Sequence, residues 1–264
     1  MARIVAENIS IEYPLYHHNS RSLKRRLFNT VPGRLKKDAS QRVVVAALRG
    51  LSFTIANGER VALIGPNGAG KSTLLRSMAG IYEPVSGRLR IEGEIGSLID
   101  PGAGMEPLAT GRENIILRGL YRGMSESQAE GLSDEAIEFA GLGEFIDLQV
   151  RGYSAGMIMR LAFAMATAMK PEILLMDEWF LAGDAEFMER AEARLKDLVT
   201  GTDILMIATH DMGVVRRWCR RVLRIEAGTI VQDGTVDEVL GAAGLGSNRD
   251  LAKGAALPGG RSNL

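Results

Sequence analysis

The stretch "RVALIGPNGAGKSTLLRSMAG", residues 60–80, runs from an apolar segment through a loop with three glycines into a helical pattern. Its middle (Gly65, Pro66, Asn67, Gly68, Ala69, Gly70, Lys71, Ser72 and Thr73) fits the spacing G-x-x-x-x-G-K-[ST]. Without Cβ atoms in the way, successive backbone N–H groups can wrap one anion, and the next helix adds its positive end. Lys71 supplies a compact charge for the β and γ phosphates of a nucleotide, and the Ser72 hydroxyl can ligate Mg²⁺. The chemistry requires a strand before this loop and a helix after it, and the sequence offers both.

Two more apolar runs, "EILLMD" and "DILMIATH", read as strands buried on both faces of a parallel sheet, so the expected class is α/β. Each ends in a group suited to phosphate chemistry. Asp177 closes the first and is placed to hold the hydration shell of Mg²⁺, while Glu178 follows on a loop where it can orient or deprotonate a water. A pair of acids after a strand is often only solvated, and the glycine loop gives this pair its meaning. His210 ends the second run and could reach a γ-phosphate, although a lone histidine there is more often structural. His17 and His18 read as solvated surface.

The segment "RGYSAGMIMRLAF" begins as a loop and continues as a helix. Ser154 at the helix start and Gly156 can present a hydroxyl and bare N–H groups to an anion, over Tyr153, Ser154, Ala155, Gly156 and Met157. Residues 65–73 already cover the near side of the phosphates. A second such surface therefore has to come from another subunit; otherwise the segment is a turn before a buried helix. Residues 161–169 read as core in either case.

Elsewhere, "RIVAENISIEY", "VVVAAL" and "LSFTI" read as strands, with turns at Arg49-Gly50 and Asn57-Gly58. "GRLRIEGEIG" gives short strands, and "RVLRIEAGTIVQDG" a strand pair turning at Ala227-Gly228. Residues 110–165 read as mainly helical, with a capping box at Ser125 and Gln128. Phe187, Ala191, Leu195 and Leu198 form one stripe of an amphipathic helix. Residues 21–42 carry eight Lys or Arg against one acid, Asp38. That basic insert is either a contact for a membrane-side partner or a solvated hairpin. Over the whole chain Lys plus Arg equals Asp plus Glu at 32 each, which argues neither for nor against nucleic acid. Cys219, the one cysteine, excludes an internal disulfide and reads as a packed hydrophobe. The N-terminus lacks an apolar signal region and no run can span a bilayer, so a cytosolic place is expected unless a partner holds the chain at a membrane.

The ordered set GPNGAGKST, YSAGM, ILLMDE, LAGD and ATHD resembles the ATP-binding cassette (ABC) ATPases across residues 2–240. The resemblance implies a P-loop cassette with a RecA-like core, an antiparallel β-subdomain and an α-helical subdomain at about 105–168. The basic insert then spans 17–42 and a flexible Gly/Ala-rich tail 241–264. It also implies ATP and Mg²⁺ as ligands, and a head-to-tail homodimer in which each nucleotide meets one chain's glycine loop and the other's signature. Ser154 and Gly156 resemble the Ser and second Gly of that signature. Asp184 resembles the aspartate after the catalytic glutamate, and His210 the switch histidine. Tyr13 lies where an aromatic ring stacks on adenine, with Tyr16 close enough to compete. Asp100, or a neighbour, stands where a glutamine contacts Mg²⁺.

Tyr153, Ala155 and Met157 depart from the usual signature, and Trp179-Phe180 replaces Pro-Thr after Glu178. With "LIDPGAGMEPLATGRENI", these departures resemble the exporters of O-antigen, capsular and teichoic-acid polysaccharides. The resemblance implies a separate transmembrane permease, a lipid-linked polysaccharide substrate, a peripheral place on the cytoplasmic face of the inner membrane, and no nucleic-acid partner. A groove for the permease is expected in residues 96–125, against an ordinary helical subdomain. An importer ATPase and a nucleic-acid-associated ABC ATPase are the competing readings.

Overall fold

The computed structural model describes residues 1–14, 35–37, 43–178 and 185–241. Most of the basic insert, Tyr16, Trp179, Phe180, Asp184 and the tail beyond 241 lie outside the described residues.

Among the described residues, ten strands make two sheets. They are β1 (Arg3–Pro14), β2 (Leu35–Lys37), β3 (Val43–Ile55), β4 (Arg60–Ile64), β5 (Ser86–Glu92), β6 (Ile95–Leu98), β7 (Ile173–Asp177), β8 (Ile204–Ala208), β9 (Arg221–Glu226) and β10 (Thr229–Thr235). The first sheet is antiparallel in the order β2-β3-β1-β5. The second has the order β10-β9-β4-β8-β7-β6 and is parallel except for the β9–β10 hairpin. Seven α-helices lie among the described residues: α1 (Lys71–Met78), α2 (Gly111–Tyr121), α3 (Glu126–Ala140), α4 (Ala155–Thr167), α5 (Ala185–Gly201), α6 (Met212–Trp218) and α7 (Val236–Leu240).

The apolar strands conceal a period of two. In β7, Ile173 and Leu175 join the core beneath the antiparallel sheet, while Leu174 and Met176 join a second core with α5 and α6. The same alternation sends Val61 and Leu63 of β4 to one core, and Ala62 and Ile64 to the other. Each central strand is thus sealed on both faces, which is why β4 and β7 are polar only at one end, at Arg60 and at Asp177. Phe187, Ala191, Leu195 and Leu198 of α5 are all buried in the second core, each large side chain contributing roughly 1.5–3 kcal/mol. Cys219 packs with them as a small hydrophobe, and burial pushes its thiol up to about 12.

The expected turn at Arg49-Gly50 is absent: β3 runs unbroken from Val43 to Ile55. Leu48 and Leu51 are both buried although three residues apart, which a regular strand cannot arrange. One extra residue is absorbed as a bulge, with Gly50 at φ 61 donating to Ser10 Oγ at 3.0 Å. β1 answers in kind. Ala6 and Ile9 are both buried, and Asn8 at φ 52 takes up the surplus while its N–H donates to Ser52 Oγ at 2.8 Å.

Helices α2, α3 and α4 enclose a third core around Ile115, Ala136, Ile146 and Leu161. Capping boxes begin two of them, Thr110 with Glu113 and Ser125 with Gln128, satisfying end N–H groups that the helix itself cannot. Against α5, Phe139, Phe163 and Phe187 pack ring to ring, with Arg160, Arg190 and Arg194 over their faces.

Candidate functional site

β4, β8 and β7 are neighbours, and register aligns Leu63 with Ala208 and Ala208 with Asp177. The three strands therefore end level, and whatever follows them converges at one carboxyl edge of the sheet. The glycine loop follows β4, Glu178 follows β7, and His210 lies just beyond β8.

Gly65 and Gly70 are required by conformation and by contact. Gly65 has φ 145, and a Cβ there would lie 2.0 Å from the Ile225 carbonyl oxygen. Gly70 has φ 117, and its Cβ would lie 2.7 Å from Leu48 Cδ2. The loop is pinned by Ala69 N–H donating to the Pro66 carbonyl at 3.0 Å, and by Gly228 N–H donating to the Ala69 carbonyl at 2.9 Å. The N-terminus of α1 opens into the space that the loop encircles, with no side chain capping it.

Lys71 is 7% exposed and lies back along its own loop. Its Nζ donates to the carbonyls of Gly65 at 2.7 Å and Pro66 at 3.3 Å, and sits 3.4 Å from His210 Nε2. Burial holds the ammonium below its ordinary pKa, against the pull of the Glu178 and Asp177 charges. Glu178 has φ 57, a left-handed conformation uncommon for a residue with a Cβ. Its N–H donates to the Ala208 carbonyl at 2.7 Å, and its Oε1 lies 3.3 Å from His210 Nε2.

Residues 67–73, Asp177, Glu178, His210 and Tyr13 line one cavity of about 500 Å³. Gly65 and Pro66 stand behind it, holding Lys71. Tyr13 donates to Thr73 Oγ1 at 3.2 Å and meets Tyr82 edge-on at 5.1 Å; burial raises its pKa, so the hydroxyl stays a neutral donor. Tyr82, which braces that ring, had no periodicity or motif to single it out. Val45 and Ala47, also in the lining, were legible only as strand residues. Beyond Glu178 and His210 a second hollow of about 580 Å³ opens toward Glu192, Arg217 and Trp218.

Ser72 and Asp177 in one cavity form a pair of hard oxygen donors. That set fits Mg²⁺, which takes few protein ligands and fills its shell with phosphate and water. No group of three His, Cys, Asp or Glu among the described residues could hold a metal unaided. Asp100 is exposed on the loop after β6 and does not line the cavity; its charge acts on Arg118 instead.

The segment 153–157 is split by the structure. Ser154 is the N-cap of α4, its Oγ accepting from Met157 N–H at 3.3 Å, and Ser154, Ala155 and Gly156 are exposed. None of the three reaches the cavity of its own chain. Tyr153 departs from expectation: it is 8% exposed and its hydroxyl donates to the Phe145 carbonyl at 2.6 Å. Its ring is part of the third core, so it cannot offer an anion its side chain. Met157 likewise packs against that core.

The sequence of residues 48–181 matches the ABC transporter family model. Over 234 residues, 88% of this chain and 98% of the relative, it is 44% identical to the O-antigen export system ATP-binding protein RfbE of Yersinia enterocolitica. It is 45% identical over 206 residues to an RfbB of Myxococcus xanthus, covering 78% of this chain and 46% of that protein, so it spans about half of that relative. The teichoic acids export ATP-binding protein TagH of Listeria monocytogenes is 35% identical over 237 residues, 90% of this chain and 68% of its own. Among solved structures, the dimeric cassette MJ0796 superposes with a TM-score of 0.63 at 23% identity, over 88% of this chain and 98% of that one, a likeness of fold. Family match, near-full-length relative and cassette fold agree, and the chain belongs to the ABC transporter family as an ATP-hydrolysing cassette.

Proposed function

We propose that this ATPase drives the export of a lipid-linked polysaccharide, of O-antigen, capsule or teichoic-acid type, through a separate transmembrane permease. The likeness to RfbE over 98% of that protein's length carries the reading. The chain is then peripheral on the cytoplasmic face of the inner membrane, held by the permease. Residues 2–240 form the cassette, with the helical subdomain at 105–168, the basic insert at 17–42 and the tail from 241.

ATP with Mg²⁺ supplies the phosphoryl group whose transfer to water drives the cycle. The N–H groups of the glycine loop bind the phosphates, and Lys71 turns from its carbonyls onto the β and γ oxygens. Ser72 and Asp177 would hold the metal, and Asp100 joins them only by a movement of its loop. Glu178 orients the water and takes its proton, with His210 positioning the carboxylate and facing the γ-phosphate. Tyr13 or Tyr16 stacks on adenine. Ser154, Ala155, Gly156 and the Met157 N–H close the opposite side from a second copy of the chain, together with Asp184.

The test is purification of the chain from its source membranes in mild detergent, followed by reconstitution with the membrane protein that accompanies it. Bound glycolipid that stimulates ATP turnover supports the reading. A partner carrying small solutes, or salt-sensitive capture of nucleic acid, would replace the proposed substrate while leaving the ATPase assignment intact.

A further inference from the structure

At the edge of the second sheet opposite the nucleotide cavity, where β4 and β9 begin and α5 ends, lies a cleft of about 410 Å³. Among the described residues five cations line it, Arg60, Lys196, Arg216, Arg217 and Arg220, and no carboxylate does. Three of them have evident structural work. Arg60 donates to the carbonyls of Val199 and Thr200 and so caps the end of α5. Arg216 and Arg217 stand in the last turn of α6, where positive charge complements the helix dipole, and pair with Asp237 and Glu192, both at 3.3 Å or less. The main chains of Lys196 and Arg220 are bonded, the Lys196 carbonyl to Thr200 Oγ1 and the Arg220 N–H to the Arg60 carbonyl, but neither side-chain charge has a hydrogen-bond or ion-pair partner among the described residues.

We propose that this cleft binds a multiply charged phosphate group of pyrophosphate or triphosphate size. Asp237 and Glu192 already offset Arg216 and Arg217, which leaves the Lys196 and Arg220 charges uncompensated in one walled cleft, and an anion there neutralises both at once. Arginine forks match phosphate oxygens two at a time, Lys196 adds a mobile point charge, and Trp218 and buried Cys219 supply a firm wall. The volume exceeds what a single orthophosphate fills. The phosphate is carried either by a soluble polyphosphate or by a lipid headgroup that ends in a phosphate; both present multiply charged terminal oxygens. The inference stands on the cleft alone and does not depend on the identity of the exported substrate.

The experiment is calorimetric titration of the full chain with inorganic tripolyphosphate at low salt. The probe also suits the glycine loop, so Lys71→Ala provides a background in which that site is silent. Binding should persist in Lys71→Ala and weaken roughly tenfold or more when Lys196→Gln and Arg220→Gln are added, as expected for lost charge-assisted contacts. If Lys71→Ala does not fold, the same comparison is made on wild-type chain loaded with a non-hydrolysable ATP analogue. No binding with the loop silenced, or binding indifferent to Lys196→Gln and Arg220→Gln, overturns the proposal. Flotation with phosphatidic acid vesicles against phosphatidylcholine vesicles then separates the sources. Capture by the anionic vesicles that is lost in the double variant assigns a headgroup; tripolyphosphate binding without capture assigns a soluble ligand.

Discussion

Oε1 of Glu178 lies 3.3 Å from Nε2 of His210, although the two residues leave different strands. The same ring nitrogen is 3.4 Å from Nζ of Lys71, so one imidazole faces both the acid and the lysine of the glycine loop. Glu178→Gln keeps the size and polarity of the side chain but replaces a carboxylate oxygen with an NH₂ donor and so removes the base. ATP binding should be unchanged, and phosphate release should fall by about 100-fold or more. The nucleotide-bound dimer should accumulate, as read by size-exclusion chromatography with ATP. Wild-type turnover in this variant would remove Glu178 from its role.

Ser154 is exposed and does not line the cavity of its own chain, and the proposed reading sets it against the nucleotide of a second copy. Ser154→Arg should leave nucleotide binding intact and abolish the part of ATP turnover that rises with protein concentration. Its loss as an N-cap costs about 1 kcal/mol, so Ser154→Asp is the better control. Aspartate keeps the cap but sets a carboxylate against the facing phosphate. It should fold like the wild type and fail in hydrolysis just as Ser154→Arg does. Full turnover in Ser154→Asp would return the segment to a plain helix start.

The strand ends and loops of this site were legible because each carries its chemistry in consecutive letters, as Gly65 to Ser72 and Asp177-Glu178 do. The cavity's alignment was legible too, since β7 and β8 read as parallel strands. Arg49-Gly50 misled because a left-handed glycine looks the same in sequence whether it turns a chain or bulges a strand; the spacing of Leu48 and Leu51 decides between them. The orientation of Tyr153 was hidden because a motif records which residue is present and not which way its ring points. The arginines over Phe139 were invisible for another reason: Arg190 and Arg194 reach it from a helix far away in sequence, which no local period reveals.

Tyr153 separates the structural half of its motif from the chemical half. Its hydroxyl, buried beside Gly111, donates to the Phe145 carbonyl at 2.6 Å. Tyr153→Phe should lower stability by about 0.5–1.5 kcal/mol, seen in urea melts, because one buried hydrogen bond is lost while the carbonyl keeps the Leu148 N–H. Nucleotide affinity and turnover per folded molecule should not change. A specific fall in turnover with unchanged stability would mean that the ring's hydroxyl reaches the facing nucleotide after all.

Lys71 makes nucleotide binding sensitive to alkaline pH. In the empty chain, burial lowers its pKa from 10.5, so the folded state binds that proton less tightly than the unfolded state does. The cost of burying the charge is fully present at low pH and is lifted as pH rises through the lowered value. The chain without nucleotide should therefore gain stability from this group in the window between that value and 10.5. Phosphate beside the ammonium reverses the shift, so binding ATP in the same window must take up a proton, and affinity must fall as pH rises. Calorimetric titration in two alkaline buffers of different ionisation enthalpy measures that uptake directly. Lys71→Arg, charged throughout the range, should show none in whatever binding it retains. Equal uptake in the variant and the wild type would move the proton to another group and leave Lys71 as a fixed charge.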